Sequence, residues 1–320
     1  TDETLIALSI SAATNPTAEL AMEQLDKLRG CEVHSTVLLS GVDVNMFRRL
    51  GINLTCEPKY EESTLEVDPM LIQEPFNYSP KNTNRTLHIY LPNDYDFSQE
   101  RYPVMYFFDG HNLFRDSDAT YGKCWGLETF LDRWSKKMIV VGIECGHQGR
   151  ERLDEYCPYE LTGGQLGPIH GMGEQTMDWI VQEGKPWVDG RFRTYDFREA
   201  TGIAGSSMGG LMAIYAAGKY NRWFSKAACL SSAIRLCRKQ LLADIGDVDP
   251  DTRVYLSWGT EETGGKRVGF YSPAALANRE VAEAFWKKKA QATLYCQDGG
   301  RHCEADWEKQ VPQFMEYLWF

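Results

Sequence analysis

The chain has 320 residues and a formal net charge of −11 at pH 7. This length suits one large α/β domain with a small appendage. The acidic balance argues against nucleic acid as a partner, because binding to a phosphate backbone requires a basic face. The longest apolar runs are far shorter than the roughly 20 residues that span a bilayer, so we expect no membrane partner either.

The nine cysteines are odd in number, scattered and without a C-x-x-C pair. Three of them, Cys145, Cys229 and Cys296, lie in apolar surroundings, which favours reduced core thiols over disulfides or a metal site. The first residues of the sequence also lack the basic residues of a signal peptide. These features predict a cytoplasmic protein, for which we expect neither a metal nor another cofactor.

Residues 1–60 have the pattern of a small β-α-β-α appendage. The acidic segment 57–66, which contains Pro58, is the best linker candidate. No motif in the appendage carries chemistry, so its role is unknown, and self-association into a homo-oligomer or covering of a pocket are its candidate roles. The predicted strands are 5–11, 33–40 and 52–54, and the predicted helices are 16–29 and 43–50.

Residues 65–320 form the second predicted domain, in which strands and helices alternate. Residues 85–91 alternate like an outer antiparallel strand, whereas residues 104–108 are a continuous apolar run, typical of a parallel strand covered on both faces. The alternation predicts an α/β fold with a doubly wound, mostly parallel sheet, whose functional residues lie at the carboxyl ends of the strands. The other predicted strands are 138–143, one ending near residue 205, 226–230, 253–258 and 292–295, and the predicted helices are 127–136, 174–183, one starting near residue 208, and 273–289.

Residues 205–209 (GSSMG) match G-x-S-x-G between a short apolar run and a helix of small residues. This context indicates a nucleophile elbow with Ser207 at its centre. The turn would aim the backbone N–H of Met208, at the start of the helix, at an oxygen that becomes negative when Ser207 attacks a carbonyl. The second donor of such an oxyanion hole is expected from the loop after residues 104–108, most simply the N–H of His111.

An acid and a histidine follow Ser207 in the order that this mechanism requires. Glu261 and Glu262 come directly after the strand 253–258, and His302 comes after the strand 292–295. His302 would take the Ser207 proton, and the carboxylate would orient the imidazole. We favour Glu262 because of its Gly-x-x-acid spacing, with Glu261 as the alternative. The remaining histidines have no partner at ligand spacing, so we expect structural roles for His34, His88, His147 and His170.

These motifs resemble the esterases related to enterochelin esterase and esterase D, a group that includes carbohydrate esterase family 1, within the α/β-hydrolases. The similar stretches are residues 102–114 (YPVMYFFDGHNLF), Gly122 with Trp125, 141–143 (VGI), 152–158 (RLDEYCP), 204–211 (AGSSMGGL), and 300–302 (GRH) with Trp307. The resemblance covers about residues 75–320. It is specific for the family and not for a substrate.

The resemblance implies hydrolysis of carboxylic esters through a serine acyl-enzyme. The catalytic roles then fall to Ser207, His302 and Glu262, and the oxyanion hole to Met208 and His111. Members act on short acyl esters, siderophore esters, glutathione thioesters, or acetyl and feruloyl esters of polysaccharides, so the expected partner is a small-molecule or carbohydrate ester.

Two other functions stay open at this stage. The same acyl-enzyme could transfer its acyl group to an alcohol, and the scaffold could be a non-catalytic interaction protein, for which the unexplained appendage is the only support. Three of the nine tryptophans, Trp125, Trp187 and Trp258, fall near predicted loop ends. They could form a platform for sugar or aromatic acyl groups, although core packing explains them equally well.

Overall fold

The computed structural model describes residues 70–162, 166–262 and 272–320. The predicted appendage at residues 1–60, with its strands and helices, lies outside the described residues. The linker candidate at 57–66 does as well.

The described residues form one sheet of eight strands, in the order β1-β2-β4-β3-β5-β6-β7-β8. Strands β1 and β2 pair antiparallel, β2 pairs antiparallel with β4, and every other neighbouring pair is parallel. The predicted doubly wound, mostly parallel sheet is therefore confirmed. The strands are β1 Met70–Tyr78, β2 Thr83–Leu91, β3 Val104–Phe108, β4 Ile139–Ile143, β5 Thr201–Ser206, β6 Lys226–Leu230, β7 Arg253–Gly259 and β8 Gln291–Gln297.

Strand β2 departs from its predicted place at the outside of the sheet. It lies second from the edge, between β1 and β4. Its last five residues, 87–91, are all buried, so they do not show the exposed alternate positions of a strand with one solvated face. By contrast, β3 and β4 are fully buried apolar runs, as expected for parallel strands covered on both faces.

Helices cover both faces of the sheet. They are α1 Leu127–Arg133, α2 Glu151–Glu155, α3 Gly173–Trp179, α4 Lys185–Arg191, α5 Met208–Lys219, α6 Arg238–Asp244, α7 Pro273–Lys287, α8 Glu304–Glu308 and α9 Val311–Trp319. Among the helices of the described ranges, none is long and apolar enough to cross a bilayer.

Two predicted helices differ from the observed ones. Helix α1 stops at Arg133, because Trp134 is extended with φ −79° and ψ 136°. The helix predicted at 174–183 is α3 followed by a π-helical turn, Ile180–Gly184, which continues into α4. The i→i+5 spacing of such a turn lies outside the 3.6-residue period on which the prediction rests.

The sheet separates two hydrophobic cores. Val254 and Leu256 of β7 point to the core that contains α5, and Tyr255 between them points to the core that contains Phe314 of α9. This is the alternation that a pleated strand imposes. Because both faces are packed, the carboxyl ends of the central strands are held in fixed positions relative to one another.

Seven of the nine cysteines lie in the described ranges. All seven of them are free, and Cys145 and Cys229 are buried as predicted. Cys296 is only partly buried.

Candidate active site

The turn between β5 and α5 has the geometry of a nucleophile elbow. Ser207 has φ 57° and ψ −116°, directly before the first residue of α5. Its N–H donates to the carbonyl oxygen of Leu230 on the neighbouring strand at 2.9 Å. A Cβ on Gly205 would lie 2.5 Å from the carbonyl carbon of Gly209, and one on Gly209 would lie 2.9 Å from the Cβ of Phe108. Both positions therefore require glycine, because a side chain at either one would clash with these neighbouring atoms.

Backbone strain is concentrated at this end of the sheet. Five non-glycine residues in the described ranges have positive φ, and three of them directly follow neighbouring strands: Asp109 after β3, Ser207 after β5 and Ser231 after β6. Conformations of this kind cluster at functional sites, where the surrounding structure holds them in place. The strain marks this edge independently of any motif.

The structure brings Glu262, and not Glu261, to His302. Oε2 of Glu262 lies 3.6 Å from Nδ1 of His302. Oε1 accepts hydrogen bonds from the Ser231 hydroxyl and from the N–H of Gly259, both at 2.6 Å. The side chain of Glu261 is exposed, and its backbone N–H donates to the carbonyl of Gly300 at 2.8 Å.

The surroundings of Glu262 keep it ionised. Burial alone would raise the pKa of this carboxyl, but the neighbouring His302 imidazole and the hydrogen bonds from Ser231 and Gly259 outweigh burial and lower the pKa below its usual range. An ionised carboxylate next to Nδ1 favours the tautomer that leaves Nε2 of His302 free to accept a proton.

Helix α8 supports the loop that carries His302. The Trp307 ring lies edge-on to the imidazole with 5.1 Å between ring centroids, and its Nε1–H donates to the Ser231 hydroxyl at 2.8 Å. The buried carboxylate of Asp306 accepts from the N–H of Arg301 at 2.9 Å and from Nζ of Lys309 at 2.6 Å. Burial tends to raise the pKa of Asp306, but these bonds lower it to about 2.

Both predicted oxyanion donors lie at this edge. Met208 begins α5, where the first N–H groups of a helix have no intrahelical acceptor. His111 lies in a 3₁₀ turn, Gly110–Asn112, directly after β3, and β3 is the neighbour of β5. The turn packs against β4 so closely that a Cβ on Gly110 would lie 2.5 Å from the carbonyl carbon of Gly142.

A partly buried ion pair, to which no role was assigned from the sequence, anchors the same loop. Nε and Nη2 of Arg152 each donate to the carboxylate of Asp109 at 2.7 Å. The Tyr156 hydroxyl accepts the N–H of Asp109 at 3.1 Å. Burial alone would raise the pKa of Asp109, but the charge and hydrogen bonds of Arg152 hold it below its usual value. The signal was present, since Arg152 and Tyr156 belong to the motif at 152–158.

The ring of His111 faces a second group of titratable side chains. Its Nε2 is hydrogen-bonded to the Thr120 hydroxyl at 2.8 Å, and its Nδ1 lies 3.9 Å from Oε1 of Glu144. Nε2 of His147 lies 2.9 Å from the same oxygen, and Nε2 of His88 lies 3.9 Å from Oε2. No partners were predicted from the sequence for His88 and His147. The missed signal is that Glu144 and His147 follow β4, the neighbour of the strand that His111 follows.

The pKa values within this group favour a neutral ring beside a carboxylate. Burial lowers the pKa of His111. Burial alone would raise the pKa of Glu144, but its interactions with His88, Thr86 and His147 lower it well below its usual range.

The proposed tryptophan platform is wrong for two of its three members. Trp125 and Trp258 are 3% and 1% exposed and belong to the cores. Trp187 is half-buried and packs on Phe76 with 5.4 Å between ring centroids. The buried rings of Trp125 and Trp258 therefore offer no stacking surface.

Comparison with known proteins matches this architecture. The family described as "Putative esterase" matches residues 79–318, most of the chain. The chain belongs to this esterase family. The resemblance drawn from the motifs is therefore confirmed.

The esterase-family domain is also similar in fold to several solved structures. The BES protein from Bacillus cereus has a TM-score of 0.62 and 17% identity, covering 84% of this chain and 100% of that one. An IroE-like serine hydrolase from Shewanella oneidensis has a TM-score of 0.61 and 20% identity, covering 78% and 79%. The siderophore hydrolase EstA from Aspergillus nidulans has a TM-score of 0.59 and 15% identity, covering 84% and 100%. At these identities the likeness shows the fold.

The N-terminal residues match different proteins. The family described as "Domain of unknown function DUF1846, C-terminal" matches residues 1–65. The UPF0371 protein of Clostridium tetani is 58% identical over 64 residues, which are 20% of this chain and 13% of that protein. The UPF0371 protein of Corynebacterium glutamicum is 54% identical over 65 residues, with the same coverage. The chain thus spans only about an eighth of the length of these curated relatives.

Proposed function

We propose that the chain hydrolyses carboxylic esters through an acyl-enzyme on Ser207, with His302 as general base and acid and Glu262 as the carboxylate that orients it. The observation that carries the proposal is the approach of Glu262 to Nδ1 of His302, at the strand edge that also holds the elbow of Ser207. Family membership and a fold shared with serine hydrolases support the same reaction class.

In this mechanism each group acts at one stated atom. Nε2 of His302 takes the proton as the Ser207 hydroxyl attacks the ester carbonyl, and it returns that proton to the leaving alcohol. Water, activated by the same nitrogen, then cleaves the acyl-enzyme. Glu262 stays ionised throughout and stabilises the imidazolium.

The oxyanion formed in both steps would be bound by the N–H groups of Met208 and His111. Removing one donor of such a hole typically costs about 10²–10³ in kcat. The packing of Gly110 on Gly142 and the ion pair of Asp109 with Arg152 support the proposal, because they fix the turn that carries the His111 amide.

The proposed substrates are short acyl esters and carbohydrate-linked acetyl or feruloyl esters. The family resemblance supports this class, and the similarity to a siderophore hydrolase adds siderophore esters as candidates. The loss of the tryptophan platform weakens the case for long sugar chains. Small soluble esters are therefore the first substrates to test.

The test compares wild type with Ser207→Ala on p-nitrophenyl acetate, p-nitrophenyl butyrate, methyl ferulate and acetylated xylan. We expect turnover by wild type and a fall of several powers of ten in kcat/KM for Ser207→Ala, because the residual rate comes from binding and the oxyanion hole alone. Analysis of the products with added glycerol separates hydrolysis from acyl transfer.

Ser206→Ala is the matched control, since it removes the neighbouring hydroxyl, which lies on β5 and not at the elbow. It should keep most of the activity. Equal turnover by wild type and Ser207→Ala would refute the assignment of the nucleophile, provided that both proteins are folded.

A further inference from the structure

Four side chains beside the proposed oxyanion loop form what we call the His111 cluster: His88, His111, Glu144 and His147. They come from three neighbouring strands, β2, β3 and β4, or from the residues that directly follow them. The proposed ester hydrolysis uses the backbone of His111 and none of these side chains. Their grouping therefore calls for a separate explanation.

Three of the side chains bring their ligand atoms together. Nδ1 of His111, a carboxylate oxygen of Glu144 and a ring nitrogen of His147 all lie within 4.8 Å of one another. Ligands at 2.0–2.2 Å from a tetrahedral zinc ion stand about 3.4 Å apart. The distances to Oε1 of Glu144, 2.9 Å from His147 and 3.9 Å from His111, lie on either side of that value.

A buried nitrogen without a partner points to a ligand. His111 is 7% exposed, and its Nδ1 has no hydrogen-bond partner among the described residues, although it faces Glu144. The other ring nitrogen is held by the Thr120 hydroxyl. This is the usual arrangement of a metal-bound histidine, in which an outer hydrogen bond fixes the ring and leaves the second nitrogen for the ion.

His88 repeats the pattern on the other side of the carboxylate. It is 6% exposed, and its Nε2, which also has no hydrogen-bond partner in the described part of the chain, lies 3.9 Å from Oε2 of Glu144. His88 is therefore placed to orient Oε2, the oxygen of Glu144 that would not bind the ion. A site of two imidazoles and one carboxylate suits zinc and similar transition metals better than Ca²⁺ or Mg²⁺, which prefer sites made of oxygen ligands.

We propose that His111, Glu144 and His147 bind one divalent transition-metal ion, with Zn²⁺ as the representative, and that water occupies its fourth position. Two imidazoles and a carboxylate are a known ligand set for zinc with an open position. The proposal departs from the expectation of no metal that the cysteine pattern suggested. Binding itself is independent of the proposed hydrolysis. Only its consequence, a fixed position for the turn of the His111 amide, rests on that function.

The test uses the full chain after treatment with a chelator and dialysis. Wild type, His147→Ala and Glu144→Gln are titrated with Zn²⁺ in competition with a chromogenic chelator. We expect wild type to bind one equivalent more than either variant, or to bind that equivalent at least about 100-fold more tightly, because each variant removes a direct ligand. Zn²⁺ should also raise the melting temperature of wild type more than that of the variants.

His170→Ala is the matched control. His170 is an exposed histidine whose Nδ1 lies 3.2 Å from Oε1 of Glu160. It copies the histidine-carboxylate pair without the third ligand, so its zinc binding should equal that of wild type. Zinc bound by cysteines would be the same in all four proteins, so it would not contribute to the differences between them.

Equal zinc stoichiometry and affinity in wild type and His147→Ala would overturn the proposal. The side chain of His147 is 55% exposed, so its removal should leave the fold intact, and the circular dichroism spectrum of the metal-free variant checks this. The result is separate from the ester assay, because zinc binding is read without substrate and Ser207→Ala should bind zinc as wild type does.

Discussion

One hydroxyl connects two parts of the proposed catalytic apparatus. Ser231 donates to Oε1 of Glu262 and accepts from Nε1 of Trp307, whose ring lies against His302. Its backbone has a φ of 47°, so the side chain is presented by a strained turn at the end of β6. Ser231 is thus a positioning residue, which acts on the imidazole through the carboxylate and the indole.

We predict that Ser231→Ala lowers kcat/KM by about 10- to 100-fold, since a hydrogen bond to a charged group contributes about 1.5–3 kcal/mol. With one donor fewer, the pKa of Glu262 should rise toward its ordinary value. The variant should therefore lose additional activity relative to wild type at the acid end of the profile, where protonation of Glu262 removes the charge that orients His302. Steady-state kinetics between pH 4 and 9 measures both effects.

Ser232→Ala serves as the control for this prediction. The Ser232 hydroxyl is also buried, but it has no hydrogen-bond partner among the described residues. Its loss should leave the rate and the pH profile nearly unchanged. If both alanine variants lose the same activity with the same profile, packing at this turn explains the effect, and the role of the Ser231 hydrogen bonds is disproved.

At the scale of single residues, the sequence was sufficient where a motif fixes the backbone. Ser207 was predictable because two glycines and a following helix define its turn. The Gly-x-x-acid spacing favoured Glu262 over Glu261, but both residues follow β7, and the path of the turn decides which side chain faces His302. Ser231 could not be identified, because a serine at a strand end has no distinguishing spacing.

Strand β5 and helix α5 are joined at the elbow by backbone contacts that leave no room for a side chain at Gly205. We predict that Gly205→Ala destabilises the protein by about 1–3 kcal/mol or more, because the new Cβ would meet backbone atoms of Gly209 that cannot move aside without shifting α5. Urea unfolding measures the loss. Activity should fall as well, since the helix carries the Met208 amide.

Gly190→Ala is the opposite case within a helix. Gly190 lies in α4, and a Cβ there would meet nothing within 4 Å. The exchange should stabilise the protein by up to about 1 kcal/mol through helix propensity. A Gly205→Ala variant as stable as wild type would show that the elbow can relax, contrary to the contacts described.

At the scale of elements, the buried parallel strands were the most predictable part. A strand that is a continuous apolar run is stable where both of its faces are covered, which is the middle of a sheet packed on both sides. Helix α9 was missed even though Val311, Phe314, Met315 and Leu318 have helical spacing and are all buried. The π-turn at Ile180–Gly184 could not be found, because it breaks the period on which the search for helices depends.

Across the whole molecule, acid stability depends on buried carboxylates whose pKa values are lowered. Asp306 is the clearest, with a pKa of about 2. Its contribution is fully present above the ordinary pKa of an aspartate, about 4, and is lost as the pH falls through about 2. We predict that Asp306→Asn destabilises the protein by about 1–3 kcal/mol at pH 7, and that the difference from wild type shrinks between pH 4 and 2.

Glu304, in the same short helix, should behave in the opposite sense. Burial raises its pKa, so the ionised form is a cost to the folded state at neutral pH. Glu304→Gln should therefore be neutral or stabilising at pH 7, with the gain disappearing as the pH falls toward the usual range of a glutamate. Urea unfolding at several pH values distinguishes the two. If Asp306→Asn and Glu304→Gln both lower the free energy of unfolding at pH 7, or both raise it, these assignments are contradicted.

The division of the chain into residues 1–60 and 65–320 stays a prediction. The two family matches, residues 1–65 and 79–318, meet close to the linker candidate, and this placement supports it. The sequence indicated the change through a shift in pattern and an acidic segment. It could not show what the first part does, because no residue in it carries a chemical motif.

The backbone of Ser207 has a consequence for how this chain can change over generations. A serine at φ 57° costs on the order of 1–3 kcal/mol, whereas glycine adopts positive φ readily. If stability alone were selected, mutation would therefore replace Ser207 by glycine. A serine in so costly a conformation is what selection for a working hydroxyl would leave behind, and a lineage that lost the activity should lose this serine early.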